Sequence, residues 1–344
     1  MEKTIRTRMG DGTLVEMTAS ELRADLEDGT QAAARRSKLP PLSEDELAHL
    51  FDIFASNARF TAVDMGNEVV LSFDGSGNAD VGSRVEEMIV YQNHHGADLT
   101  ELWNIDYSYK AIKTILSYES NLMKTCQLNL VAPCQYGAMP DLGRYSQPDG
   151  PVPNWSELMP LGKIAEARAA QEEAIEHATR DMVFVADGMA EAGADGMDFD
   201  TAGAAGDGDF LATLRAVEEI RRRYPDMSIE VGMASEFVLG MHGELEYNGK
   251  RLAGMWPHDQ AKVVAEAGAT IFGPAVNVNT RRSVAWNVAR AVTIVKKCCE
   301  ESPIPVHMNV GMGVGGVPMT PYPPIDAVSR VSRALVDLTR MDGL

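Results

Sequence analysis

The chain has 344 residues and is 45% hydrophobic, enough for one large domain or two small ones and too apolar for a disordered polymer. Its 31 basic and 50 acidic side chains give a formal charge of −19, which repels nucleic-acid phosphates and anionic membrane surfaces. The cysteines Cys126, Cys134, Cys298 and Cys299 form no C-x-x-C pair, no run of 18 apolar residues occurs and the opening MEKTIRTRMGDGTLVEM holds no signal-peptide core, so a reducing cytoplasm is the expected location.

Residues 1–65 read as a small module set apart from 66–344. TRMGDGTLVEM holds two short β-like runs around Asp11-Gly12, a hairpin signal. Thr18 with Glu21 and Ser43 with Glu46 form two capping boxes, which predict two short helices separated by Pro40-Pro41. Strand-like runs then recur at Val69–Asp74, Leu102–Asp106, Val131–Tyr136, Met197–Thr201, Ile229–Ala234, Thr270–Ala275 and Val306–Val310. Helices are predicted between them, among them Ile164–Ala192 and Arg282–Glu301. A last one starts near Ile325, with Ile325, Val328, Val331, Leu335 and Leu338 on one face.

Three stretches, HHGADL, EAGADGMDF and EAGATIF, close a helix with glycine and enter a strand, as repeated βα units with a parallel sheet would. Periodicity alone does not separate a closed barrel from an open doubly wound sheet. Seven strand candidates, with an eighth beginning at MDGL, favour an α/β fold of the TIM (β/α)8 type, incomplete at its end.

In such a barrel, chemistry gathers at the carboxyl ends of the strands. Asp198 and Asp200 are two apart on one strand and face the same way, an arrangement that suits a metal, another cation or an ammonium; a loop cap and a helix N-cap are the competing reading. Glu230, near a strand start, reads as structural, while Glu236, just past that strand, is a site candidate. His242, in a glycine-flanked loop, reads as a ligand, a base or a surface residue. His307 and Asn309 share one face of the last strand candidate. Gly311, Gly313, Gly315 and Gly316 follow it as candidate cofactor-binding glycines. The proline-rich VPMTPYPP after them is no helix start, so a rim for a large flat ligand fits better than a dinucleotide loop. No cysteine and histidine set has zinc spacing, and no G-x-S-x-G elbow is in frame.

Taken together, RMGDG, NIDYSYK, YGAMPDLG, SQPDGP, GADGMDFDTAGAAGDGD, GMASEFVLGMHGEL, LAGMWPHDQA, FGPAVNVNT, SPIPVHMNVGMGVGGVPM and PPIDAVSR give the chain its likeness to a known family. It resembles, over essentially its whole length, the dimethylamine methyltransferases that pass a methyl group to a corrinoid protein. The resemblance implies dimethylamine as substrate, a cognate corrinoid protein as partner, and a role in methylamine-dependent methanogenesis or methylotrophy. It implies no cofactor bound by the chain itself, the cobalamin being carried by the partner. It also implies that pyrrolysine follows MDGL, its electrophilic imine receiving the amine, so that the 344-residue chain is expected to be truncated and inactive. Strand position, rather than the resemblance, suggests Asp198, Asp200 and Glu236 as amine binders or bases, with His307 and Asn309 orienting them. Alternatives stay open: a short homologue lacking pyrrolysine that methylates or docks a corrinoid protein with another substrate, or a metal-dependent barrel lyase using Asp198 and Asp200. A homo-oligomer is compatible with the sequence; nucleic acid and membrane are not expected partners.

Overall fold

The computed structural model describes residues 4–56, 135–138, 141–194, 196–320 and 324–344, with only the backbone of 135–138 and 325. The strand candidates at 69–74 and 102–106, the first part of 131–136 and the glycine stop at 94–99 lie outside the described residues.

Strands β1 (Thr4–Arg8) and β2 (Leu14–Thr18) pair antiparallel around Asp11-Gly12, where the Gly12 N–H donates to the Met9 carbonyl at 2.9 Å. Both expected capping boxes form: the Thr18 hydroxyl accepts from the Glu21 amide to start α1 (Ala19–Ser37), and Ser43 does the same with Glu46 to start α2 (Glu44–Ala55). Helix α1 is 19 residues long rather than short. It runs on through Gly29, whose missing side chain lets Trp286 approach: a Cβ there would meet the Trp286 carbonyl oxygen at 2.3 Å.

The chain continues through β3 (Gln135–Ala138), α3 (Ile164–Glu191), β4 (Gly196–Ala202), α4 (Asp207–Arg223) and β5 (Ser228–Met233). A two-residue hairpin, β6 (Glu246–Tyr247) with β7 (Lys250–Arg251), leads to α5 (Pro257–Ala267), β8 (Ile271–Gly273), α6 (Val284–Glu301) and α7 (Ile325–Thr339). Gly193 after α3 and Gly268 after α5 take φ of +86° and +104°, the left-handed stops expected before β4 and β8. The fold is thus α/β with a parallel sheet. Among the described residues its strands lie in the order β3-β4-β5-β8, following the chain with no reversal, and β3–β4 and β4–β5 are parallel.

One expected strand is corrected. Residues 306–310 form no strand; His307 makes a single parallel bridge to Gly343. The Val306 N–H donates to the Asp342 side chain at 2.8 Å, and Pro305 has no N–H to offer, so a backbone ladder has little to build on. Strand β8 is likewise shorter than the candidate 270–275, stopping before Pro274.

The molecule divides into two compact units. One holds β1, β2, α1, α2, α6 and α7. Its core is built from Leu22 and Leu26 of α1, Leu50 and Phe54 of α2, Val288, Val292 and Val295 of α6, and Val331 and Leu335 of α7. The other holds β3, β4, β5, α3 and α4. There Met197, Phe199, Ile229 and Val231 of the strands, Phe210, Leu214 and Val217 of α4 and Ile175 and Met182 of α3 are buried. Among the described residues no helix is long and apolar enough to cross a membrane.

Candidate functional site

Strand β4 alternates as its sequence predicts. Met197 and Phe199 are buried, while Asp198 and Asp200 are half-buried on the opposite face. The register with β5 sets Asp198 beside Glu230, and the register with β3 sets the backbone of Gly137 on its other side. Glu230, only 6% exposed, therefore joins the face of Asp198. Sequence reasoning gave Glu230 a structural role. The usable signal was the match between MDFD and IEVG when the two runs are aligned, which places both acids second in those runs and third in β4 and β5.

The carboxyl end of β4 is irregular. The pairing with β5 shifts between Phe199 and Ala202, so Asp200 and Thr201 occupy a β-bulge. The Thr201 N–H donates to Asp200 Oδ1 at 2.7 Å. Glu236 follows the end of β5 and is buried at 6% exposure. Asp198, Asp200 and Glu236 thus sit on the two adjacent strands or just past them, as expected. Concentrated carboxylates on one face attract a cation and can accept a proton from it.

Below this corner, α4 begins with two buried aspartates. Asp207 accepts from the amides of His242 at 2.9 Å and Gly243 at 2.6 Å, which pins the loop after β5 to the start of α4. His242 continues the tie through Nε2, 2.9 Å from Glu172 Oε1 on α3, and its Nδ1 is buried without a partner. His242 also lines a cavity of about 410 Å³ with Arg168, Gly243, Glu244, Glu246 and Arg251. Asp209 is the residue that sequence reasoning missed. It is fully buried and neither oxygen makes a hydrogen bond. Burial pushes its carboxyl up to about 7. The amides of Ala205, Gly203 and Leu142, near enough for their dipoles to act but outside bonding geometry, oppose the rise, and the Asp141 charge adds to it. The sequence signal was weak: GDGD places Asp209 in the first helical turn, where an acid is ordinary.

His307 and Asn309 belong to the other unit. Val306 and Met308, which alternate with them in sequence, are buried, so the two polar residues still share the side away from the core. Asn309 is exposed and His307 is half-buried. The glycines after them are engaged in packing: the Val278 N–H donates to the Gly313 carbonyl at 2.7 Å, the Gly315 N–H to the Val276 carbonyl at 3.0 Å. A Cβ on Gly316 would meet the Val288 backbone nitrogen at 3.0 Å, and one on Gly311 would lie 3.4 Å from Asn309 Oδ1. The acids and the His307–Gly316 segment are therefore features of two separate units.

A comparison with known families matches residues 3–344, essentially the whole chain, to a family model described as dimethylamine methyltransferase.

Proposed function

The chain belongs to the dimethylamine methyltransferase family, and on that premise we propose that it transfers a methyl group from dimethylamine to a corrinoid carried by a partner protein. The observation that carries the reading is the family match over residues 3–344. The acidic face of β4 and β5 supports it chemically. Dimethylamine arrives at neutral pH as an ammonium ion, since amines of this kind hold their proton to about pH 10 by analogy with lysine. Asp198 and Asp200, with Glu230 beside them, supply the negative charge that draws the ion to the end of the sheet. Asp200 and Glu236 are the groups assigned to hold the N–H donors, so that the amine stays protonated, and its nitrogen a better leaving group, as the C–N bond breaks. Loss of a methyl cation from dimethylammonium leaves neutral methylamine, and the corrinoid of the partner protein accepts the methyl group.

The proposal extends to the architecture. Parallel strands β3, β4 and β5 lying in chain order support a fold of the (β/α)8 barrel type with its site at the strand carboxyl ends.

The test is a methyl-transfer assay with dimethylammonium and the reduced corrinoid protein. Methylamine is expected in equal amount to methylated corrinoid, and in neither form when one reactant is left out. Asp200→Asn is expected to slow transfer by about 10²-fold with an unchanged thermal melt. Transfer from trimethylamine or methylamine but not dimethylamine would overturn the substrate, and undiminished turnover at saturating amine would remove Asp200 from the mechanism.

A further inference from the structure

The bulge at the end of β4 bears directly on Asp200. Between the Phe199–Val231 and Ala202–Met233 pairs, Asp200 and Thr201 stand opposite the single residue Gly232. Thr201 takes a φ of +57°, a left-handed conformation that a β-branched residue resists and that glycine would adopt freely. In that conformation its N–H donates to Asp200 Oδ1 at 2.7 Å and its carbonyl accepts from the Ala204 N–H at 3.2 Å. The Ala234 N–H donates to the Ala202 carbonyl at 3.0 Å, so pairing resumes directly beyond the bulge and holds Thr201 in place. Gly232 forms the other flank of the same carboxylate: a Cβ built there would lie 3.3 Å from Asp200 Oδ1, tight enough to displace it by tenths of an ångström.

We propose that Thr201 and Gly232 are positioning residues that hold the Asp200 carboxylate from two sides, so that its placement, and not its charge alone, sets the affinity for a secondary ammonium ion. A carboxylate fixed by its neighbour's amide loses less freedom when a ligand binds, and so binds it more tightly. Strain at Thr201 persists because the surrounding bonds over-determine it, the pattern found where geometry serves a function. The inference rests on the role assigned to Asp200 above.

The test titrates dimethylammonium chloride into the whole chain by calorimetry, a readout independent of turnover. Asp200→Asn is expected to weaken binding at least tenfold. Asp200→Glu keeps the charge but carries it past both contacts, and is expected to weaken binding nearly as much. Gly232→Ala is expected to weaken it about fivefold, and to have no further effect in the Asp200→Asn background. Wild-type affinity in Asp200→Asn would overturn the site reading itself. A weakened Asp200→Asn with wild-type binding in Asp200→Glu, or a Gly232→Ala effect that is absent or repeated in full on Asp200→Asn, would overturn only the clamp. Should Gly232→Ala fail to give a cooperative melt, Asp200→Glu decides alone.

Discussion

Where α1 lies on α6, buried polar side chains meet partners. Thr30 Oγ1 lies 2.8 Å from Thr293 Oγ1 and accepts the Leu42 N–H at 2.8 Å. Ser283 donates to Asp25 at 2.6 Å and the Trp286 indole to Asp28 at 2.9 Å. At the corner between β4 and α4 in the other unit, a carboxyl is buried with no hydrogen bond at Asp209 and a threonine sits in a left-handed turn at Thr201. The first region spends its polar groups on holding helices together. The second tolerates local costs, on the order of 1–3 kcal/mol for the threonine and about 4 kcal/mol for the ionised form of the carboxyl, which a fold keeps where geometry or proton affinity has a use.

The comparison breaks most visibly through pH. The Asp209 carboxyl is raised from 3.8 to about 7, so it is protonated in the fold below about 7 and ionised in the unfolded chain above about 4. Its stabilising contribution is complete below pH 4, falls as pH rises towards 7, and is flat beyond. A three-unit shift corresponds to a loss on the order of 4 kcal/mol. Asp209→Asn, neutral throughout, is expected to remove that slope when wild type and variant are unfolded in urea at several pH values. Parallel curves would show that the buried carboxyl is not the source.

The α1–α6 side is expected to respond to shape next. Gly29→Leu drives a side chain into the Trp286 carbonyl and is expected to lower unfolding free energy by about 3 kcal/mol, read from the urea midpoint. Thr30→Val keeps the volume but leaves the Leu42 amide without its acceptor, for an expected loss of about 2 kcal/mol in the same experiment. The smallest effect has the opposite sign. Thr201→Gly accepts the positive φ at less strain and is expected to stabilise by about 0.5–1 kcal/mol, whereas a loss of stability would mean the threonine side chain supports the corner.

Much of this was legible because it is local. The capping boxes at Thr18 and Ser43, the turn at Asp11-Gly12 and the stops at Gly193 and Gly268 depend on residues within a few positions of each other, and each forms as read. The alternation of Met197, Asp198, Phe199 and Asp200 is equally local, so the acidic face of β4 was visible before any fold was known. Gly29 shows how tertiary contact overrides a local preference. Its poor helix propensity, about 1 kcal/mol, argues for a break, yet close approach to Trp286 makes it the residue that fits. The run at 306–310 has strand composition, but its partner reduces to a single bridge at Gly343.

By itself, then, the sequence determined the α/β class, the helix ends, the hairpin, the pairing of Asp198 with Asp200 on one face and, through its long motifs, the family. Tertiary structure decided which acids stand together and at what cost. Glu230 reaches Asp198 only through the β4–β5 register, Thr201 turns left-handed only because the strands re-pair beyond it, and Asp209 loses water only when α4 packs. The reason is range: caps and alternation follow from neighbouring residues, whereas register, bulge and desolvation arise between segments that meet only in the folded chain.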